Sequence, residues 1–78
     1  MLSDDAVKVV RLILDELNSG IRTLPAEVSL KHIEQMTGVR VQNIGSAFEG
    51  SIKKALEASG LHAVKIGTPR RIRISKLG

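Results

Sequence analysis

The sequence predicts one mostly helical α+β domain: three helices, a short strand and a C-terminal β-hairpin. Three observations predict it. Apolar residues recur at helical spacing over most of the chain, and the period drops to two after Gly60. Serine, glycine and proline stand where such elements would begin and end. The 78 residues are 42% apolar, which suffices for one modest core spanning 1–78 and leaves no room for a second.

Ser3 is placed to cap a first helix from about Asp4 to Asn18, with Asp4 and Asp5 at the positive end of its dipole and Gly20 to stop it. Ala6, Val10, Ile13, Leu14 and Leu17 form its apolar stripe, and Val7, Val9 and Leu12 widen it. That width is expected of a helix sandwiched between the others and the chain ends, with a homodimer surface as the alternative. Pro25 rules out a long helix between Ile21 and Val28, so a short edge strand or connector is expected there. Ser29 then caps a second helix over about 29–37, with Leu30, Ile33 and Met36 inward and Gly38 at its end.

A tight turn at Val39 and Arg40 leads into a third helix over about 41–59. Its buried side is marked by Ile44, Phe48, Ile52, Ala55 and Leu56, and Gly60 closes it. Gly45 and Gly50 lie inside it, where each costs up to about 1 kcal/mol relative to alanine; they either admit a close approach to the backbone or, on the favoured structural reading, mark a kink or a later helix start. Residues 62–76 alternate on either side of Gly67-Thr68-Pro69 and read as a hairpin. The alternation predicts Val64, Ile66, Ile72 and Ile74 on the core face, with Lys65, Arg71 and Arg73 on the opposite one.

Charge is unevenly spread. Residues 1–39 hold four bases against six acids, whereas residues 40–78 hold eight bases against Glu49 and Glu57 alone. A domain that turns one face to a polyanion has this asymmetry. Phe48 is the only aromatic residue, so stacking platforms for single strands are nearly excluded. There is no cysteine, Asp4 and Asp5 occupy the place where a signal peptide is basic, and no apolar run reaches membrane-spanning length, so a cytoplasmic chain is expected. His32 and His62 are too isolated for a metal site and are expected at the surface, with His32 available to a phosphate. No glycine-rich phosphate loop or nucleophile elbow occurs, so no catalytic residue, cofactor or small-molecule substrate is expected.

The stretch Ser29-Leu30-Lys31-His32-Ile33-Glu34-Gln35-Met36-Thr37-Gly38-Val39-Arg40-Val41-Gln42-Asn43-Ile44 resembles a helix-turn-helix in Ile33, the turn glycine Gly38, Val39 after it, and Ile44 beyond. Ile52-Lys53-Lys54-Ala55-Leu56-Glu57-Ala58-Ser59-Gly60-Leu61 looks like a recognition helix running into a hairpin. With the order of elements, nearly the whole chain resembles the winged-helix family. Two residues depart from the family pattern. Glu34 stands where a small residue is common, and Arg40 stands where Ser or Thr often caps the recognition helix, which points to a shifted helix start.

The resemblance implies double-stranded DNA binding by a transcription regulator or a replication or chromatin accessory protein. The third helix would enter the major groove, with Arg40, Gln42, Asn43 and Ser46 toward base edges. Lys53 and Lys54 would contact phosphates. The wing residues Lys65, Arg70, Arg71 and Arg73 would grip backbone or minor groove. Such folds also serve as protein-interaction modules, and the same basic face would accept structured RNA.

Overall fold

The computed structural model describes residues 3–67 and 70–77; Thr68 and Pro69 of the expected hairpin turn lie outside them. Helix α1 (Asp4–Asn18) begins at Ser3, whose Oγ accepts the Ala6 N–H at 3.2 Å. Strand β1 (Ala26–Ser29) leads directly into α2 (Leu30–Thr37), capped by Ser29 Oγ on the His32 N–H at 3.0 Å. Gly38 ends α2 with a φ of 79°, a left-handed conformation that a side chain would strain. The third helix is one continuous run in three parts: α3 (Val41–Ala47), a π-helical turn (Phe48–Ile52) and α4 (Lys53–Ala58). Strands β2 (Leu61–Ile66) and β3 (Arg71–Lys76) form the hairpin. The expected α+β architecture of three helices, a short strand and a C-terminal hairpin is present.

The π turn answers a sequence pattern. Ile44, Phe48, Ile52 and Leu56 recur at every fourth position and all are buried. Each such step overshoots a 3.6-residue turn by about 40°. Three steps in a plain α-helix would carry Leu56 about 120° from the face set by Ile44. One extra residue taken up in a π turn returns about 100° of this, so all four side chains meet one core. Gly50 lies within that turn.

The sheet is antiparallel with order β1-β3-β2, so the last strand is the central one. Val28, Ile72, Ile74, Ala63 and Leu61 are buried on its helix side. Against them pack Ala6, Val9, Val10 and Ile13 of α1, Leu30 and Ile33 of α2, and the third helix. Val9 is buried and Leu12, Leu14 and Leu17 are partly buried on the same core, so packing within the chain accounts for part of the width of the α1 stripe; Val7 is not among these residues. Met36, expected inward, is 60% exposed. Val39, in the turn after α2, is buried instead, at 4% exposed.

Among the described residues one charged side chain is buried. Glu16, 4% exposed, accepts Arg22 Nε at 2.6 Å on one oxygen and His32 Nε2 at 2.8 Å on the other. The three side chains tie α1, the connector and the first turn of α2 together. Burial disfavours the Glu16 carboxylate, but the hydrogen bonds from His32 and Arg22 and their charges outweigh it, so its pKa falls below the ordinary 4.5. A carboxyl whose pKa is lowered by folding adds stability above its unfolded pKa and loses it as pH falls through the folded one. Glu16→Gln is therefore expected to lower stability at pH 7 by about 1–3 kcal/mol. The gap to wild type should close as both proteins are melted at successively lower pH below 4.5. A gap independent of pH would mean that the carboxylate charge contributes nothing.

Candidate nucleic-acid interface

The third helix starts where the sequence placed it, without a shift. Arg40 is extended, with φ −65° and ψ 145°, and its carbonyl accepts the N–H groups of Asn43 at 2.9 Å and Ile44 at 3.0 Å. Its side chain makes no capping bond; Glu34 Oε2, reaching across the turn from α2, accepts the Val41 N–H at 3.0 Å. Thr37 Oγ1 accepts the Val39 N–H at 3.1 Å and donates to the Ile33 carbonyl at 2.7 Å, which fixes the turn between. Arg40, Gln42, Asn43 and Ser46 are all exposed along the start of this helix. The Ser46 hydroxyl donates to the Gln42 carbonyl at 2.9 Å, so it retains only its lone pairs for a partner.

The hairpin corrects one expectation. Residues opposite one another in an antiparallel pair share a face. Ala63 pairs with Ile74 and Lys65 with Ile72, whereas Val64 pairs with Arg73 and Ile66 with Arg71. Lys65 therefore belongs to the helix-facing side, and Val64, 42% exposed, belongs to the outer side with Arg71 and Arg73. The strand has apolar residues in both phases, and the close approach of the third helix selects the small Ala63 to lie beneath it.

That change of face makes a site. Lys65 leans over α3, and its Nζ lies 3.8 Å from where a Cβ at Gly45 would stand. Leu30, Gln42, Gly45 and Ser46 from the helical side and Lys65, Ile66, Gly67 and Arg70 from the hairpin line an open groove of about 440 Å³. No carboxylate is among them. Gln42, Ser46, Lys65 and Arg70, all expected contact residues, thus converge from elements well separated in the chain.

The remaining ones do not join this groove. Arg40 and Asn43 continue the exposed surface of α3. Lys53 approaches Glu49 at 3.8 Å across one turn, and Lys54 is exposed beside it. Arg71 is 3.0 Å from Glu27 of β1, and Arg73 faces the same acid across the strand register. The hairpin carries no acid of its own, but the neighbouring strand supplies one. His32, expected to be available to a phosphate, has its Nε2 engaged by Glu16 Oε2 at 2.8 Å.

Sequence reasoning gave no partner to Glu16, Glu27 or Glu34, each of which reaches one on another element. Glu16 left a signal as an acid on the buried phase of α1, and Glu34 as the departure from the family pattern noted above. No helix among the described residues is long and apolar enough to cross a membrane. No family model, curated protein or solved structure matches the chain.

Proposed function

We propose that this chain is a winged-helix domain that binds double-stranded DNA. The observation that carries this reading is the acid-free groove in which Gln42 and Ser46 of α3 meet Lys65 and Arg70 of the hairpin. A helix with exposed Gln42 and Asn43 suits the major groove, where Gln and Asn pair with adenine, and Arg40 at its start suits a phosphate at the groove edge. Lys65 and Arg70 beside it suit the flanking phosphates, which fix register without reading sequence. The net charge of +4, concentrated in the half that builds this face, favours a polyanion over a neutral partner. Regulation of transcription, or an accessory role in replication or chromatin, follows as the setting, and the same reading puts the protein in the cytoplasm.

Affinity should come chiefly from released counterions. If Arg40, Lys54, Lys65 and Arg70 each meet one phosphate, log K falls with log salt at a slope of about −3 to −4. A labelled duplex of random sequence, titrated with the folded protein across a salt series, measures this. Micromolar binding at low salt that fades along that slope is expected. Absence of binding at low salt would sink the proposal.

A second reading, a protein-interaction module, is favoured by one feature. On the outer sheet face Val64 is 42% exposed, and with Pro25, His62, Ile66, Arg73 and Ser75 it lines a shallow depression. Under that reading, charge reversal at the groove would leave partner binding intact.

A further inference from the structure

We propose that Glu34 is a positioning residue for the DNA-facing helix: it caps α3 from outside, which frees position 40 to carry an arginine that meets the duplex. The inference rests on the DNA-binding reading for the second half of that statement and on geometry alone for the first.

A helix ordinarily obtains its cap from the side chain just before it, and the effective residues are short: Ser, Thr, Asp, Asn. Arg40 occupies that position with capping backbone angles and no acceptor in its side chain. The first N–H groups of the helix still need partners. Asn43 and Ile44 bond the Arg40 carbonyl, and Val41 bonds Glu34 Oε2. The carboxylate also sits at the positive end of the helix, where its charge is favourable.

A cap drawn from α2 does something that a local serine could not. It links the two helices on either side of the turn, and so holds the direction in which α3 leaves Gly38. Glu34 and Arg40 are one arrangement: the acid supplies the acceptor that the arginine side chain lacks. The capping position stands at the exposed start of the helix, beside Gln42 and Asn43, so it now bears a long cation in place of a hydroxyl.

The experiment compares wild type with Glu34→Ala, Glu34→Gln, Arg40→Ser and the double variant Glu34→Ala/Arg40→Ser. It reads melting temperature, hydrogen exchange at the Val41 amide, and the salt dependence of binding to a random duplex. Glu34→Ala should melt roughly 4–8 °C lower and lose protection at Val41. Glu34→Gln keeps an amide oxygen for the same N–H and should retain most of both. In the double variant the serine hydroxyl introduced by Arg40→Ser can cap the Gln42 or Asn43 amide, so the melting temperature should recover while Val41 stays unprotected. Arg40→Ser should reduce the magnitude of the salt slope by about one, and Glu34→Ala should leave the slope unchanged. A wild-type melting temperature and Val41 protection in Glu34→Ala would overturn the cap. An unchanged slope in Arg40→Ser, with wild type binding normally, would overturn the freed arginine. Failure of wild type itself to bind duplex would overturn the DNA reading and the role of Arg40 with it, while melting and exchange would still decide the cap.

Discussion

Reversing both groove charges, Lys65→Glu with Arg70→Glu, should weaken duplex binding on the order of 100-fold or more at moderate salt. A hydrogen bond to a charged group is worth about 1.5–3 kcal/mol, or roughly tenfold to a hundredfold per contact. Losing two phosphate contacts should also flatten the salt slope by about 1.8. The reversed charges then repel what they formerly held, which enlarges the loss at low salt. Arg71→Glu with Arg73→Glu makes the informative comparison, because the formal charge change is identical. Those arginines lie on the outer sheet face, and Arg71 is already engaged by Glu27 at 3.0 Å. Their reversal should cost no more than about tenfold, the remainder being long-range field. Fluorescence anisotropy on one duplex, with circular dichroism to confirm folding, reads both pairs. An equal or greater effect from Arg71 and Arg73 would transfer the contact surface to the outer face and displace the groove.

Phe48→Ala should have the largest effect on stability. Phe48 is fully buried, is the largest side chain in the core, and begins the π turn. Truncations of this kind cost about 3–5 kcal/mol through lost transfer energy and the cavity left behind. Domains of this size hold only about 0.05–0.15 kcal/mol per residue, so one substitution removes a large share of the total. A melting temperature lower by roughly 15 °C or more is expected, with much of the chain unfolded at about 37 °C where wild type is folded. Phe48→Leu keeps most of the volume and should recover over half of the loss. A Phe48→Ala protein that melts within a few degrees of wild type would show that the core closes over the gap, and that the π turn does not depend on the ring.

Much of the fold was legible in the sequence because it is written in short-range signals. Ser3 and Ser29 cap the helices that follow them, and Gly38 ends α2, as local hydrogen bonding requires. Ile72 and Ile74 are buried and Arg71 and Arg73 exposed, as strict alternation in β3 demands. In β2 alternation could not choose, because Leu61 and Ala63 are apolar in one phase and Val64 and Ile66 in the other. The choice was made by pairing with β3 and by the helix above, which are tertiary facts. Lys65 consequently changed sides, and the candidate site changed with it. The acids tell the same story: Glu16, Glu27 and Glu34 act on partners 6 to 44 positions away. The pairs Glu16–His32 and Glu27–Arg71 lie 16 and 44 positions apart, and the nearer two cross from one element to the next, so periodicity within an element shows none of them and overstated how free the basic residues are. Met36 was misplaced: of the apolar residues of α2 only Leu30 and Ile33 are buried, and the next buried side chain is Val39 in the turn.

The central place of β3 has a consequence for how the protein comes to be made. Both of its neighbours precede it in the chain, and they touch only through it. While residues 71–76 are still being synthesised, β1 and β2 have no ladder partner, and the helices can only gather around an unfinished floor. The longest reach, from Ala26 to Ile74, and the shortest, the hairpin, both end on this strand. Long-range pairing of this kind sets the pace of folding. A chain emerging in order can therefore complete its sheet only once β3 is available.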